Sequence, residues 1–170
     1  MTPQRIANPD PALSPSAVAP VRKTIRVRAD VAHAFDVFTT GIDRWWPRSH
    51  HIGQSPMTRI IVEPRAGGRC YSEQEDGADC DWGQVLVWEP PHRVVLAWQI
   101  TTDWRFESDL ARSSEVEVRF TPEADGMTRV DLEHRNLERH GPRADEMRAG
   151  VDAPGGWGTL LEGFAAEAER

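Results

Sequence analysis

His134 ends the string Thr128 to His134, in which Val130, Leu132 and His134 alternate onto one face. Alternation with period two therefore points an imidazole inward near the end of a strand. A buried imidazole usually has a partner and can donate, accept or shuttle a proton. The same placement also suits a histidine at the edge of a core, bonded to a backbone carbonyl. No neighbour in sequence supplies a nucleophile for a triad. Arg69, Tyr71 and Glu73 alternate on one face of another strand. Turned inward, they would give an apolar pocket a polar end able to orient a carbonyl or carboxylate. A one-residue shift at the Asp76-Gly77 turn would send all three to solvent, and both registers stay open. Trp46, Trp98 and Trp157, among seven tryptophans, fall where the pattern turns inward. They would make walls for a flat apolar ligand, or simply fill a core.

Metal and phosphate chemistry find little support. His50 and His51 are adjacent and diverge, and His134 and His140 lack an i, i+4 partner. Cys70 and Cys80 make no CxxC pair and read as two small apolar side chains, reduced in a cytosolic setting. Gly67-Gly68 and Gly155-Gly156 lack the lysine and spacing of a phosphate loop. No metal and no cofactor are expected.

The elements that must position these residues centre on Gly83 to Ile100, GQVLVWEPPHRVVLAWQI. Two Val-, Leu- and Trp-rich runs flank Glu89-Pro90-Pro91-His92, a turn signal. The simplest hairpin sets Val87 opposite Val94, Val85 opposite Leu96 and Gly83 opposite Trp98. Trp82 and Trp88 then fall on the wetter face, where they would form an exposed patch suited to a homodimer contact. Further strands are expected over residues 22–29, 59–63, 69–74, 115–121 and 128–134. Asp30 caps a helix carrying Val31, Ala34, Phe35 and Phe38, and a short turn through Trp45 and Trp46 stops at Pro47. Residues 101–113 read as a mobile loop carrying Trp104 and Phe106. A last helix after Pro154 has Trp157, Leu160, Leu161, Phe164 and Ala168 along one stripe. The fold class is α+β: a curved antiparallel sheet wrapped around a long C-terminal helix, with two short helices after the first strand.

Length and charge bound the function. At 170 residues with a net charge of −7, the chain reads as one domain without the basic face that nucleic acid requires. No apolar run approaches the ~20 residues that span a bilayer, so no membrane association is expected. Residues 1–20, rich in proline and small polar side chains, read as a disordered tail before a single domain at 21–170. They lack the pattern of a secretory signal, which makes the cytoplasm the expected location.

Four strings carry a resemblance: ADVAHAFDVFTTGIDRWWP, PRAGGRCYSEQEDGADCDWGQVLVWEPPHRVVLAWQI, SSEVEVRFTPEADGMTRVDLEHRNL and GGWGTLLEGF. In this order and spacing the chain resembles the START-like superfamily (SRPBCC, also Bet v-like) with its helix-grip fold. Within it, the chain is similar to the bacterial branch named after the activator of heat-shock protein 90 ATPase. The resemblance implies a cavity between sheet and terminal helix that holds an apolar or amphipathic small molecule. Its expected walls are Val85, Leu96, Trp98, Val118, Phe120 and Leu132 on the sheet, with Trp157, Leu161 and Phe164 on the helix. The fold implies no single reaction. The first expectation is a small-molecule binding protein without established catalysis. A second is a polyketide aromatase/cyclase or hydrolase using His134 with Tyr71 or Glu73 as acid and base. A third is a protein-interaction module working through a surface patch.

Overall fold

The computed structural model describes residues 17–170, and the expected tail falls largely outside them. From Val18 onward the chain is already held: Val18 packs on the core, and Arg148 donates to the carbonyl of Ala19. Seven strands form one antiparallel sheet: β1 (Val21–Val27), β2 (Met57–Val62), β3 (Arg69–Gln74), β4 (Asp79–Glu89), β5 (Arg93–Trp98), β6 (Ser114–Pro122) and β7 (Thr128–Arg135). Their order across the sheet is β1-β7-β6-β5-β4-β3-β2. Helix α1 (Val31–Phe38) follows β1, and Asp30 caps it by accepting from the His33 amide at 2.8 Å. Helices α2 (Ala144–Asp152) and α3 (Trp157–Ala168) close the chain. The α3 stripe Trp157, Leu160, Leu161, Phe164 and Ala168 is buried against the inner face of the sheet, which is the helix-grip arrangement. No helix is long and apolar enough to cross a membrane.

The central hairpin keeps two expected pairs, Gly83 with Trp98 and Val85 with Leu96. Beyond Val85 the register shifts, so Val87 pairs with Val95 and Trp88 with Val94. A second irregularity separates Cys70–Gly83 from Tyr71–Asp81 and leaves Trp82 as the extra residue. An extra residue reverses the alternation on its strand, which corrects the expected facing of both tryptophans. Trp82 is buried, and Trp88 sets its ring edge-on to Phe35 at 5.0 Å. The exposed apolar side chains are instead Trp104, Phe106 and Leu110, on the segment between β5 and β6. That segment carries its own ladder, with Thr101 donating to the Arg105 carbonyl and Glu107 to that of Gln99.

The open register of β3 resolves outward. Cys70, Ser72 and Gln74 are buried, so Arg69, Tyr71 and Glu73 stand on the outer face. There Arg69 pairs with Asp79 and Asp81 and lies over the Tyr71 ring, while Glu73 faces Arg59. Charged partners on the neighbouring strands fix this choice. Cys80 lies opposite Ser72 and Cys70 opposite Gly83, so the two free thiols are not cross-strand partners.

The outer face of β5 and β6 is drier than alternation alone implies. Val95 and Ala97 are buried beside their cross-strand partners Glu117 and Glu115. Glu117 bonds Arg93, Arg119 and Arg135, whose aliphatic stems can cover apolar neighbours. Gly83 is also structural. A Cβ there would overlap the Ala97 carbonyl oxygen on β5. Gly83→Ala should therefore cost about 1–3 kcal/mol as an overpacking change, measured by urea unfolding.

Candidate functional site

The inner face is not filled uniformly. At one end Phe120 packs on Phe35 and Phe38, and Phe164 on Phe38 and Trp45, with ring centroids 5.3–5.9 Å apart. Leu161 is fully buried there as well. Phe120, Leu161 and Phe164 thus belong to solid core and do not line the cavity the sequence assigns them to. At the other end a cavity of about 380 Å³ remains between β2–β5, the loop after Trp46 and the α2–α3 corner.

Four tryptophans in this wall form a closed ring of neighbours. Trp46 stacks on Trp82 at 6.3 Å, and Trp82 meets Trp98 at 6.5 Å. Trp98 meets Trp157 at 5.7 Å, and Trp157 returns to Trp46 at 6.1 Å. Offset and edge-on pairs of this kind are favoured by the ring quadrupoles. Ile52, Met57, Ile60, Ile100, Val151 and Leu160 supply the aliphatic wall. Trp104, 53% exposed and with a left-handed φ of 58°, stands at the edge of the cavity. Gly155 (φ 87°) and Gly156 make the α2–α3 corner, where a Cβ on Gly156 would overlap the Val151 carbonyl. This tight corner sets Trp157 at the first position of α3.

His134 is fully buried but lies behind the wall. The Trp157 indole N–H donates to His134 Nδ1 at 3.0 Å, and Nε2 meets the Ser114 hydroxyl at 2.7 Å. Ser114 in turn meets His140 Nε2 at 2.7 Å. Because an indole N–H only donates, neutral His134 must carry its proton on Nε2. The chain of donors then runs from His134 to Ser114 to His140. Burial first, and then the nearby His140, push the His134 pKa down to about 3. Both ring nitrogens are engaged, and Tyr71 and Glu73 stand on the opposite face of the sheet. The acid–base set of His134 with Tyr71 or Glu73 is not assembled. His134 instead positions Trp157.

The polar groups that do reach the cavity come from segments without periodicity or beside a bulge. His50 donates through Nε2 to the Gly155 carbonyl at 2.8 Å and so ties its loop to the helix corner. His51 lines the cavity with a buried, unpartnered Nδ1. Ser72 lies in the wall and accepts from the Gln74 amide at 2.6 Å. Of the ligand-binding residues expected from sequence, Trp46, Trp98 and Trp157 line the cavity. His51, Ser72, Trp82 and Val151 join them without having been singled out for it. The bulge hid Trp82, but inward alternation of Cys70, Ser72 and Gln74 was available as a signal.

Among the described residues, four buried side-chain polar atoms have no partner: His51 Nδ1, Gln74 Oε1, Trp82 Nε1 and Trp98 Nε1. Three belong to wall residues and the fourth to the residue bonded to Ser72. Such groups are uncommon in folded proteins and each costs about 1–3 kcal/mol. No cluster of three or more metal-ligating side chains occurs among the described residues.

A curved sheet gripped by a terminal helix, with an apolar cavity between them, defines a helix-grip protein. The family model of activator of Hsp90 ATPase homolog 1-like proteins matches residues 28–169, and the chain belongs to that family. It is similar to the solved structure of the anthrahydroquino-gamma-pyrone synthase Txn09, at 40% identity over 88% of this chain and 97% of that one, with a TM-score of 0.63. It is also similar to the self-sacrificing resistance protein CalC from Micromonospora echinospora, at 28% identity over 88% and 93%, TM-score 0.63. Protein NE0264 from Nitrosomonas europaea shares the fold at 15% identity over 88% and 93%, TM-score 0.58. Among curated proteins, none matches the chain.

Proposed function

We propose that the protein binds a flat, fused-ring aromatic small molecule of polyketide type in the tryptophan-walled cavity. The observation that carries this reading is the ring of four indoles around a cavity that the core leaves unfilled. Aromatic faces favour planar partners. The likeness to Txn09 supports the same ligand class. A second reading, ring closure on that ligand, is favoured by His51. His51 lines the cavity and its Nδ1 has no partner, so a turn of the ring would offer an acceptor to the proton of a phenol or enol.

Titration with 9,10-anthraquinone, followed by tryptophan quenching and native mass spectrometry, tests the binding reading. Saturable quenching and a one-to-one adduct are expected; neither signal would sink it. Trp104→Ala should weaken that binding roughly fivefold, equivalent to about 1 kcal/mol of aromatic contact, with little change in unfolding midpoint because the ring is exposed. For the second reading, His51→Gln should retain binding and lose turnover of an aromatic polyketide precursor.

A further inference from the structure

Of the four unpartnered buried polar side-chain atoms among the described residues, three belong to residues lining one cavity, and the fourth is on Gln74, which is bonded to the wall residue Ser72. Two of the four are indole N–H groups, which can only donate. Trp82 and Trp98 are each 7% exposed and come from the adjacent strands β4 and β5. Ser72 adds a third donor from β3, the next strand over. The Gln74 amide occupies a lone pair of the Ser72 oxygen, and among the described residues the Ser72 hydroxyl proton has no acceptor. Three neighbouring strands about 4.8 Å apart therefore carry these three residues along one side of the cavity. The helix-side wall, formed by Val151 and Leu160, offers no such groups, and the Trp157 donor is already taken by His134.

Resting on the proposed aromatic-ligand site, we infer that this sheet-side wall reads acceptor oxygens. The ligand is a fused-ring ketone or quinone whose oxygenated edge faces Ser72, Trp82 and Trp98 and whose hydrocarbon edge faces α2 and α3. A hydrocarbon of the same shape leaves all three donors unmatched, and a site with buried donors discriminates against ligands that cannot satisfy them. Neither indole nitrogen touches solvent as the wall stands, so meeting an acceptor requires each ring to turn toward the cavity.

The test compares 9,10-anthraquinone with anthracene, which has the same fused rings and no oxygen. In a nitrogen-15 proton correlation spectrum the seven tryptophans each give one indole signal. Trp82→Phe and Trp98→Phe identify two of them. Anthraquinone should move both signals downfield, and anthracene should not. The preference for anthraquinone over anthracene should fall at least fivefold in Trp82→Phe, in Trp98→Phe, and in Ser72→Ala, which removes only a hydroxyl. Taking the ratio of two ligands in each variant cancels any general loosening of the site. If both probes bind but the preference is unchanged in Ser72→Ala and the two wild-type signals stay still, the donor assignment is overturned while the aromatic site stands. Signals held upfield by neighbouring rings and indifferent to anthraquinone would overturn it in the same way, showing N–H groups packed on aromatic faces. If neither probe binds, the site and the donor assignment fall together.

Discussion

Replacing His134 with alanine should lower the stability of the fold by about 3–5 kcal/mol, read from the urea midpoint of the purified protein. Two effects combine. Removing a fully buried ring leaves a void in the core. It also strands the Trp157 indole N–H and one side of the Ser114 hydroxyl, each of which has been satisfied by the imidazole. Domains of this size are stable by only about 5–15 kcal/mol, so a substantial fraction would be lost. His134→Gln separates the two effects. Its amide can accept from Trp157 and donate to Ser114, and it should recover part of the loss that alanine incurs. Equal losses in the two variants would show that shape alone matters and that the hydrogen bonds add nothing.

That role for His134 was only half visible in the sequence. Alternation through Val130 and Leu132 places the imidazole inward, and it is indeed buried. Its partners are another matter, because Ser114 is 20 residues away and Trp157 is 23, joined only by the pairing of β6 with β7 and the packing of α3. The helix stripe from Trp157 to Ala168 was legible because a 3.6-residue period survives without knowing what it faces. Which part of the stripe meets solid core and which meets open space was not legible. Phe164 is enclosed by Phe38 and Trp45, from a segment far earlier in the chain.

Single inserted residues did the most to hide the site. The hairpin is read correctly at Gly83–Trp98 and Val85–Leu96, then fails one residue later where β4 shifts against β5. Leu86 has no glycine beside it to mark a bulge, whereas Gly83 stands next to Trp82, and each extra residue reverses the facing of the residues beyond it on the strand. Trp82 consequently moved from an assumed outer patch to the centre of the indole ring. The β3 choice failed for a related reason. Arg69, Tyr71 and Glu73 look like site chemistry, but their charges are matched by Asp79, Asp81 and Arg59 on neighbouring strands, which satisfies them outside. Of the cavity's polar residues, His51 sits in a loop whose position depends on the His50–Gly155 bond across the fold.

The same buried imidazole should make the protein acid-labile well above the range where carboxylates titrate. His134 is held neutral in the fold, its pKa about 3, whereas an unfolded histidine titrates near its ordinary value of 6.5. Between those values the unfolded chain binds one more proton than the folded one, so stability falls as pH falls. The contribution is fully present above about 6.5 and declines by about 1.4 kcal/mol per pH unit below it. His140, whose pKa burial also lowers, acts in the same direction. A second process enters lower down. Burial favours the protonated form of Glu117, but hydrogen bonds from Arg93, Arg119 and Arg135 outweigh it and hold the carboxyl at about 2. That stability is intact above the ordinary glutamate value near 4.5 and is lost as pH drops toward 2. Urea midpoints measured from about pH 7 to 4.5 should therefore decline steeply in the native protein. In His134→Gln the decline over that interval should flatten by close to one proton, while the loss at lower pH persists because Glu117 is untouched. If the slope is the same in both proteins, His134 is not the group that takes up the proton on unfolding. Burial would then not be what keeps it neutral.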